Sequence, residues 1–86
     1  MKCIYRVSPE EMKLAYRCRV YSTNGDGPLT HHLAVEKEDG SPLRFEDGEP
    51  VRWSGRTYGQ FLTNAGFMAE KYNLPGETDA SGIIRE

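Results

Sequence analysis

Glu38-Asp39-Gly40-Ser41-Pro42-Leu43-Arg44-Phe45 is followed directly by Glu46-Asp47-Gly48-Glu49-Pro50-Val51-Arg52-Trp53. The two octapeptides share E-D-G-x-P, then an aliphatic residue, Arg and an aromatic. Asp-Gly supplies a turn, because glycine takes positive φ without a Cβ penalty and Asp bonds its own backbone. Proline lacks an N–H and belongs at the first residue of a strand. The unit therefore reads turn, strand, turn, strand, with strands at 43–46 and 51–55. Alternation puts Leu43, Phe45, Val51 and Trp53 on one face. One register that satisfies this opposes Arg44 to Arg52, which like-charge repulsion disfavours. The expected register opposes Glu46 to Arg52 and Phe45 to Trp53, with Gly48-Glu49-Pro50 as the loop. Such cross-strand pairs stabilise by roughly 0.2–1 kcal/mol each. For the first unit, alternation leaves open whether Glu38 or Glu36 faces Arg44; the second choice packs Val35 on Phe45.

Upstream of the repeat, Leu33 and Val35 alternate with His32, Ala34 and Glu36, which predicts a strand over 31–38. Ser22–Pro28 holds Asn24-Gly25 and Asp26-Gly27, the densest turn signal in the chain. Before it, two patterns compete. Ser8-Pro9-Glu10-Glu11 is a helix start, with Ser as N-cap, Pro at the first position and Glu three residues on. Leu14, Tyr16, Cys18 and Val20 nevertheless alternate with Ala15, Arg17, Arg19 and Tyr21, as in a strand. Pairing with the alternating segment Cys3, Tyr5, Val7 brings every apolar residue to one side, which favours strands at 3–8 and 14–22. That register sets Cys3 opposite Cys18 as a buried thiol pair.

Downstream, Thr57 and Gln60 form a capping box. Tyr58, Phe61, Leu62, Ala65, Met68, Ala69 and Tyr72 follow at helical spacing, and Leu74-Pro75-Gly76 stops the helix. The expected fold is α+β: an antiparallel meander of about five strands (3–8, 14–22, 31–38, 43–46, 51–55) with one C-terminal helix (58–72) on its apolar face. The alternative is four strands with an extra N-terminal helix at 9–19. Residues 1–74 read as a single domain and 75–86 as a flexible tail.

At 86 residues the chain makes one domain, and a domain of this size buries only ~60–65% of its unfolded surface. The net charge of −2 lacks the basic excess of a general nucleic-acid binder. Charge is segregated: Lys2, Arg6, Lys13, Arg17 and Arg19 dominate the N-terminal stretch, and carboxylates dominate residues 21–50. The N-terminus has no apolar signal region and no run spans a bilayer, so the expected setting is cytoplasmic, away from membranes, with reduced thiols.

Cys3, Cys18, His31 and His32 are the soft metal ligands, and their spacing fits no zinc pattern. A Cys18–His31 or Cys18–His32 nucleophile pair requires a depressed thiol pKa and an orienting group. No phosphate loop, dinucleotide fingerprint or hydrolase motif is present. No enzyme, cofactor or metal is implied. The leading expectation is a non-enzymatic protein-binding module, an inhibitor or adaptor that occupies a surface of a larger partner, of the kind found among phage and mobile-element accessory proteins. Its contact residues would be Phe67, which lies off the helix stripe, and the acidic turn tips Asp39, Asp47 and Glu49; a homodimer is compatible with the same surface. The second expectation is nucleic-acid binding by a basic sheet face of Arg6, Arg17, Arg19 and Tyr21. The third is a thiol enzyme using Cys18.

Overall fold

Each octapeptide closes the same three-residue hairpin loop. In the first, Lys37 N donates to Ser41 O at 2.8 Å and Gly40 N to Lys37 O at 3.0 Å; in the second, Phe45 N donates to Glu49 O at 2.8 Å and Gly48 N to Phe45 O at 2.9 Å. Gly40 and Gly48 both sit at φ 89°, the left-handed residue that ends a type I turn in a three-residue hairpin. The Asp39 carboxylate accepts from the Ser41 N–H and hydroxyl, and the Asp47 carboxylate from the Glu49 N–H. The loops are therefore Glu38–Gly40 and Glu46–Gly48, and the expected loop Gly48–Pro50 is corrected. Closing the second loop two residues earlier along the chain shifts the pairing, so that Pro42 faces Glu36 and Pro50 faces Arg44. Glu46 does not oppose Arg52, and none of the expected registers forms.

The shift brings three main-chain segments to one point. Leu43 N donates to Val35 O at 2.9 Å, Val51 N to Leu43 O at 2.7 Å, and Val35 N to Val51 O at 3.1 Å. All three side chains are fully buried. Three segments cannot each be antiparallel to the other two within one sheet, so they cross, and the pairings of Pro42 with Glu36 and of Pro50 with Arg44 stop at single bridges. Residues 43–46 form no strand for this reason.

The computed structural model describes residues 4–24 and 27–84, the side chains of Tyr5 and of residues 81–84 excepted. It shows a small α+β fold with a four-stranded mixed sheet: β1 (Arg17–Thr23), β2 (Thr30–Glu36), β3 (Arg52–Gly55) and β4 (Asp79–Ile84), in the order β3-β2-β1-β4. The strand count matches the four-strand alternative, but the fourth strand comes from an unexpected place. β4 lies in the segment read above as a flexible tail, and it pairs in parallel with β1. Because β1 and β3 are each antiparallel to β2, β3 and β4 run the same way. The main helix α2 (Tyr58–Lys71) is the crossover between them, as parallel strands require.

The N-terminal strand 3–8 is not formed: Ile4–Arg6 is a 3-10 turn, and α1 (Pro9–Met12) follows it. Here the local signal won over alternation. The Ser8 hydroxyl accepts from Glu11 N at 3.2 Å and Pro9 opens the helix. The Glu11 carboxylate is taken by Arg44 N at 2.8 Å and by Lys37 at 3.5 Å, which ties α1 to the repeat. The expected helix 9–19 is thus one turn, and the expected strand 14–22 begins only at Arg17. Leu14 is exposed and Ala15 is buried in its place. The pairing of Cys3 with Cys18 lies outside the described residues.

The core fills the space between one sheet face and α2. It joins Cys18, Val20, Leu33 and Val35 to Leu43, Phe45, Val51, Phe61 and Ala65, with Val7 and Ala15 at its margin. Phe45 meets Trp53 edge to face at 6.2 Å, so the expected aromatic contact is made without the expected strand register. The helix buries a narrower stripe than its spacing suggested: Phe61 and Ala65 are buried, Tyr58 and Met68 half-buried, and Leu62 exposed. The Thr57 hydroxyl donates to the Gln60 side chain at 3.0 Å and caps no backbone N–H. At the other end Asn73 takes φ 53°, Leu74 N donates to Ala69 O and Asn73 N to Glu70 O. This double closure with a left-handed residue is a Schellman stop. Gly76 N then donates to Tyr16 O at 2.8 Å. A Cβ at Gly76 would sit 2.5 Å from the Tyr16 ring, so only glycine lets the chain enter β4 at this approach.

The repeat makes the two turns equivalent, and their glycines should be equivalent in energy. Gly40→Ala and Gly48→Ala are each expected to cost about 1 kcal/mol, since Ala is strained at positive φ. Urea unfolding should show similar falls in midpoint with an unchanged slope; a silent change at either glycine contradicts the shared turn.

Candidate functional site

Alternation along β1 and β2 divides the sheet into two chemistries. Cys18, Val20, Leu33 and Val35 face α2. Arg17, Arg19, Tyr21, His32, Ala34 and Glu36 face the other way, where no described helix covers them. The expected sharing of a face by Arg17, Arg19 and Tyr21 is present. Arg6 does not join them: it sits in the N-terminal 3-10 turn, where its carbonyl accepts from Glu46 N at 3.1 Å. The face is also less basic than its arginines suggest. Glu36 lies 3.6 Å from Arg17 and 3.5 Å from Arg19, and Asp79 of β4 lies 3.7 Å from Arg19. Partly exposed pairs of this kind contribute at most about 1 kcal/mol, but they occupy the charges. Tyr21 stacks on His32 at 4.8 Å and 27°, with the Arg19 guanidinium 5.7 Å from its ring.

The adjacent histidines point to opposite faces, and each is held by hydroxyls. Ser22 Oγ lies 2.6 Å from His31 Nδ1 on the α2 side, where Tyr58 packs 5.3 Å from the ring. On the open side, Thr23 Oγ1 lies 2.9 Å from His32 Nε2 and Ser54 Oγ lies 2.8 Å from its Nδ1. With hydroxyls at both ring nitrogens, His32 joins β1, β2 and β3. Ser22, Thr23 and Ser54 were not singled out from sequence; the signal was a hydroxyl residue on the same face as each histidine in the neighbouring strand. The Ser22–His31 pair has a nucleophile's composition without its setting. Ser22 is 5% exposed, and no carboxylate among the described residues orients His31. The described residues contain no group of three His, Cys, Asp or Glu placed to hold a metal ion.

Cys18 is fully buried between Val20 and Val35. Burial pushes its thiol up to about 11, the direction that suppresses the nucleophilic thiolate. His31 on the same face is held by Ser22, and His32 lies on the opposite face, so the paper pairing of Cys18 with a histidine base is not assembled.

A second region lies beside α2. Phe67 is 69% exposed and lines a concavity of about 410 Å³ with Ile4, Trp53, Phe61 and Met68. Trp53 was expected in the core; it is half-buried and forms one wall. Gly59 and Gly66 face open space, and an added Cβ would meet nothing within 4 Å, so neither serves close packing of α2 on the sheet. Asp39 and Asp47 are exposed on the hairpin loops, Glu49 is exposed just after the second, and none of the three lines the groove. The first two are not idle charges. Each carboxylate caps its own turn, and the Ser41 hydroxyl followed by the Ser41 N–H holds the Asp39 carboxyl below its usual range.

Two measurements check these assignments. Native protein at neutral pH should leave Cys18 unmodified by a thiol-reactive probe over the time in which urea-unfolded protein reacts fully; rapid native labelling at Cys18 would restore the thiol reading. Because the folded Asp39 pKa is depressed, its stabilisation is present above the ordinary value of about 3.9 and is lost as pH falls through the lower folded value. The Asp39 carboxyl 13C signal should titrate below that ordinary value, and Ser41→Ala should move its midpoint upward. An unshifted midpoint in both proteins would remove the hydroxyl as the cause.

Comparison of the chain with models of known protein families, with curated proteins and with solved structures returned no match.

Proposed function

We propose that this protein is a non-enzymatic binding module that acts as an inhibitor or adaptor by occupying a surface of a larger protein partner. The observation that carries the reading is Phe67, an aromatic side chain held in water on the rim of an apolar groove. Leu33, Phe61 and Met68 give the groove an apolar floor, while Gln60 and Asn64 stand at its edge. An apolar centre with a polar border is the anatomy of protein interfaces, and aromatic anchors carry much of their energy. Covering Phe67 removes apolar surface from water at roughly 25 cal/mol per Å². Nothing in the side-chain chemistry described above competes with this as a catalytic centre.

Nucleic-acid binding is the second reading, supported by Arg17, Arg19 and Tyr21 on one uncovered face. Glu36 and Asp79 weigh against it, as does the net charge of −2, because the affinity of such proteins comes largely from unmatched cations against phosphates.

Affinity capture with the tagged chain separates the two. The wild-type protein is expected to retain a specific protein from cells that contain its partner. Phe67→Asp should reduce that retention at least tenfold with an unchanged thermal midpoint, since Phe67 supports no core contact. Equal retention by the variant would overturn the groove as the contact surface. Salt-sensitive binding of a single-stranded oligonucleotide, lost in Arg17→Glu with Arg19→Glu, would move the assignment to the second reading.

A further inference from the structure

Directly behind the hydrogen-bonded meeting of Val35, Leu43 and Val51, the next residue of each segment points the other way. These residues are Glu36, Arg44 and Arg52, and all three line one cleft on the uncovered side of the sheet, with Arg19 and Tyr21 of β1. The cleft is about 390 Å³. Its walls include Pro42 and Pro50, the equivalent prolines of the two octapeptides, so the repeat builds the cleft as well as the turns.

The charges in the cleft do not balance. Glu36 is already shared by Arg17 and Arg19, and Arg19 also meets Asp79. Among the described residues the Arg44 guanidinium bonds only the neutral Gly48 carbonyl, at 3.0 Å. Arg52 is exposed, and its side chain makes no hydrogen bond or ion pair with any described residue. Two guanidiniums thus face one concavity with no carboxylate of their own among the described residues. A cleft with an excess of one sign of charge concentrates its potential on the opening, and planar guanidinium forks match oxyanions two bonds at a time.

We propose that this cleft is a binding site for a phosphate monoester, held by Arg44 and Arg52 with Arg19 at its margin. The charge match selects the group: a monoester carries about −1.5 to −2 near neutral pH, equal and opposite to the two unmatched guanidiniums. A polynucleotide fits less well. Asp39 adjoins Gly40 at the cleft edge and Glu49 adjoins Pro50, so a line of phosphates leaving the cleft would pass carboxylates. The site is on the opposite side of the sheet from the Phe67 groove and stands independently of it.

The test is an NMR titration of the 15N-labelled full chain at constant ionic strength and pH 7.5. Inorganic phosphate and a phosphoserine peptide are the probes, with acetate and chloride as controls. The Arg44 and Arg52 side-chain Nε–H signals should shift saturably with both phosphates and not with the controls. Arg52→Gln and Arg44→Gln should each weaken binding about tenfold, the size of one lost charge-assisted contact, while Arg17→Gln, outside the cleft, should leave it unchanged. Lowering the pH through about 6, where the monoester loses its second charge, should weaken binding of the wild type. Tighter binding of the peptide identifies a phosphorylated side chain as the source, and equal binding a free phosphate. Shifts that are unsaturable, or matched by acetate, or unaltered in Arg52→Gln, would overturn the site. So would a single-stranded oligonucleotide that displaces the phosphopeptide from the same residues. The Arg52 side chain is exposed and makes no hydrogen bond or ion pair with a described residue, so its variant reports on binding without loss of structure.

Discussion

Three main-chain hydrogen bonds, each donated by one of Val35, Leu43 and Val51 and accepted by another, close a cycle inside the protein. The rest of the structure is arranged around it. A buried peptide group must find a partner, because leaving it unsatisfied costs more than the bond's net worth. The cycle satisfies one N–H and one C=O from each of three segments at the point where the side chains are fully removed from water. It fixes where β2 ends and β3 begins, and hence where α2 starts its crossing to the far edge of the sheet. The Glu11 carboxylate, bonded to Arg44 N one residue beyond Leu43, fastens the N-terminal turn to the same place.

The crossing also divides the surface. Inward from it, Phe45 and Trp53 build the aromatic margin of the core, and Trp53 continues as a wall of the groove beside Phe67. Outward, Glu36, Arg44 and Arg52 gather behind it. The acidic loops project beyond, each closed by its own aspartate. A single backbone device thereby separates an apolar concavity from a cationic one in a chain too small to keep a deep cleft.

Much of this was legible in the residues. The octapeptide announced two glycine turns, and both exist. The spacing from Tyr58 to Tyr72 announced the helix, and Asn73 ends it. Alternation placed Arg17, Arg19 and Tyr21 together. The misreadings have identifiable causes. Cys3, Tyr5 and Val7 alternate like a strand, but Ser8 and Pro9 make a local helix start that needs no distant partner. Register was inferred from charge pairs worth tenths of a kcal/mol, whereas the place of the loops, each ending on the positive-φ Gly40 or Gly48, decides it outright. The fourth strand was hidden because Asp79–Ile84 is polar at its start and pairs in parallel with β1, far away in sequence. The cleft escaped notice because Arg44 and Arg52 were assigned to glutamates in a register that does not form. Thr23 and Ser54, which hold His32, carry no signal until β1 and β3 are known to flank it.

A cycle of hydrogen bonds also counts. Two octapeptides carry the chain away from Val35 and return it there. One would leave the Val35 N–H without its acceptor, and three would carry the returning carbonyl past it. Insertions or deletions that shift Leu43 or Val51 out of their pairing at Val35 are therefore excluded, even in whole multiples of the repeat. Length can vary between Gly76 and Asp79 without opening the cycle. The octapeptide looks like a modular element that could be multiplied at will; in this fold its copy number is fixed at two by closure.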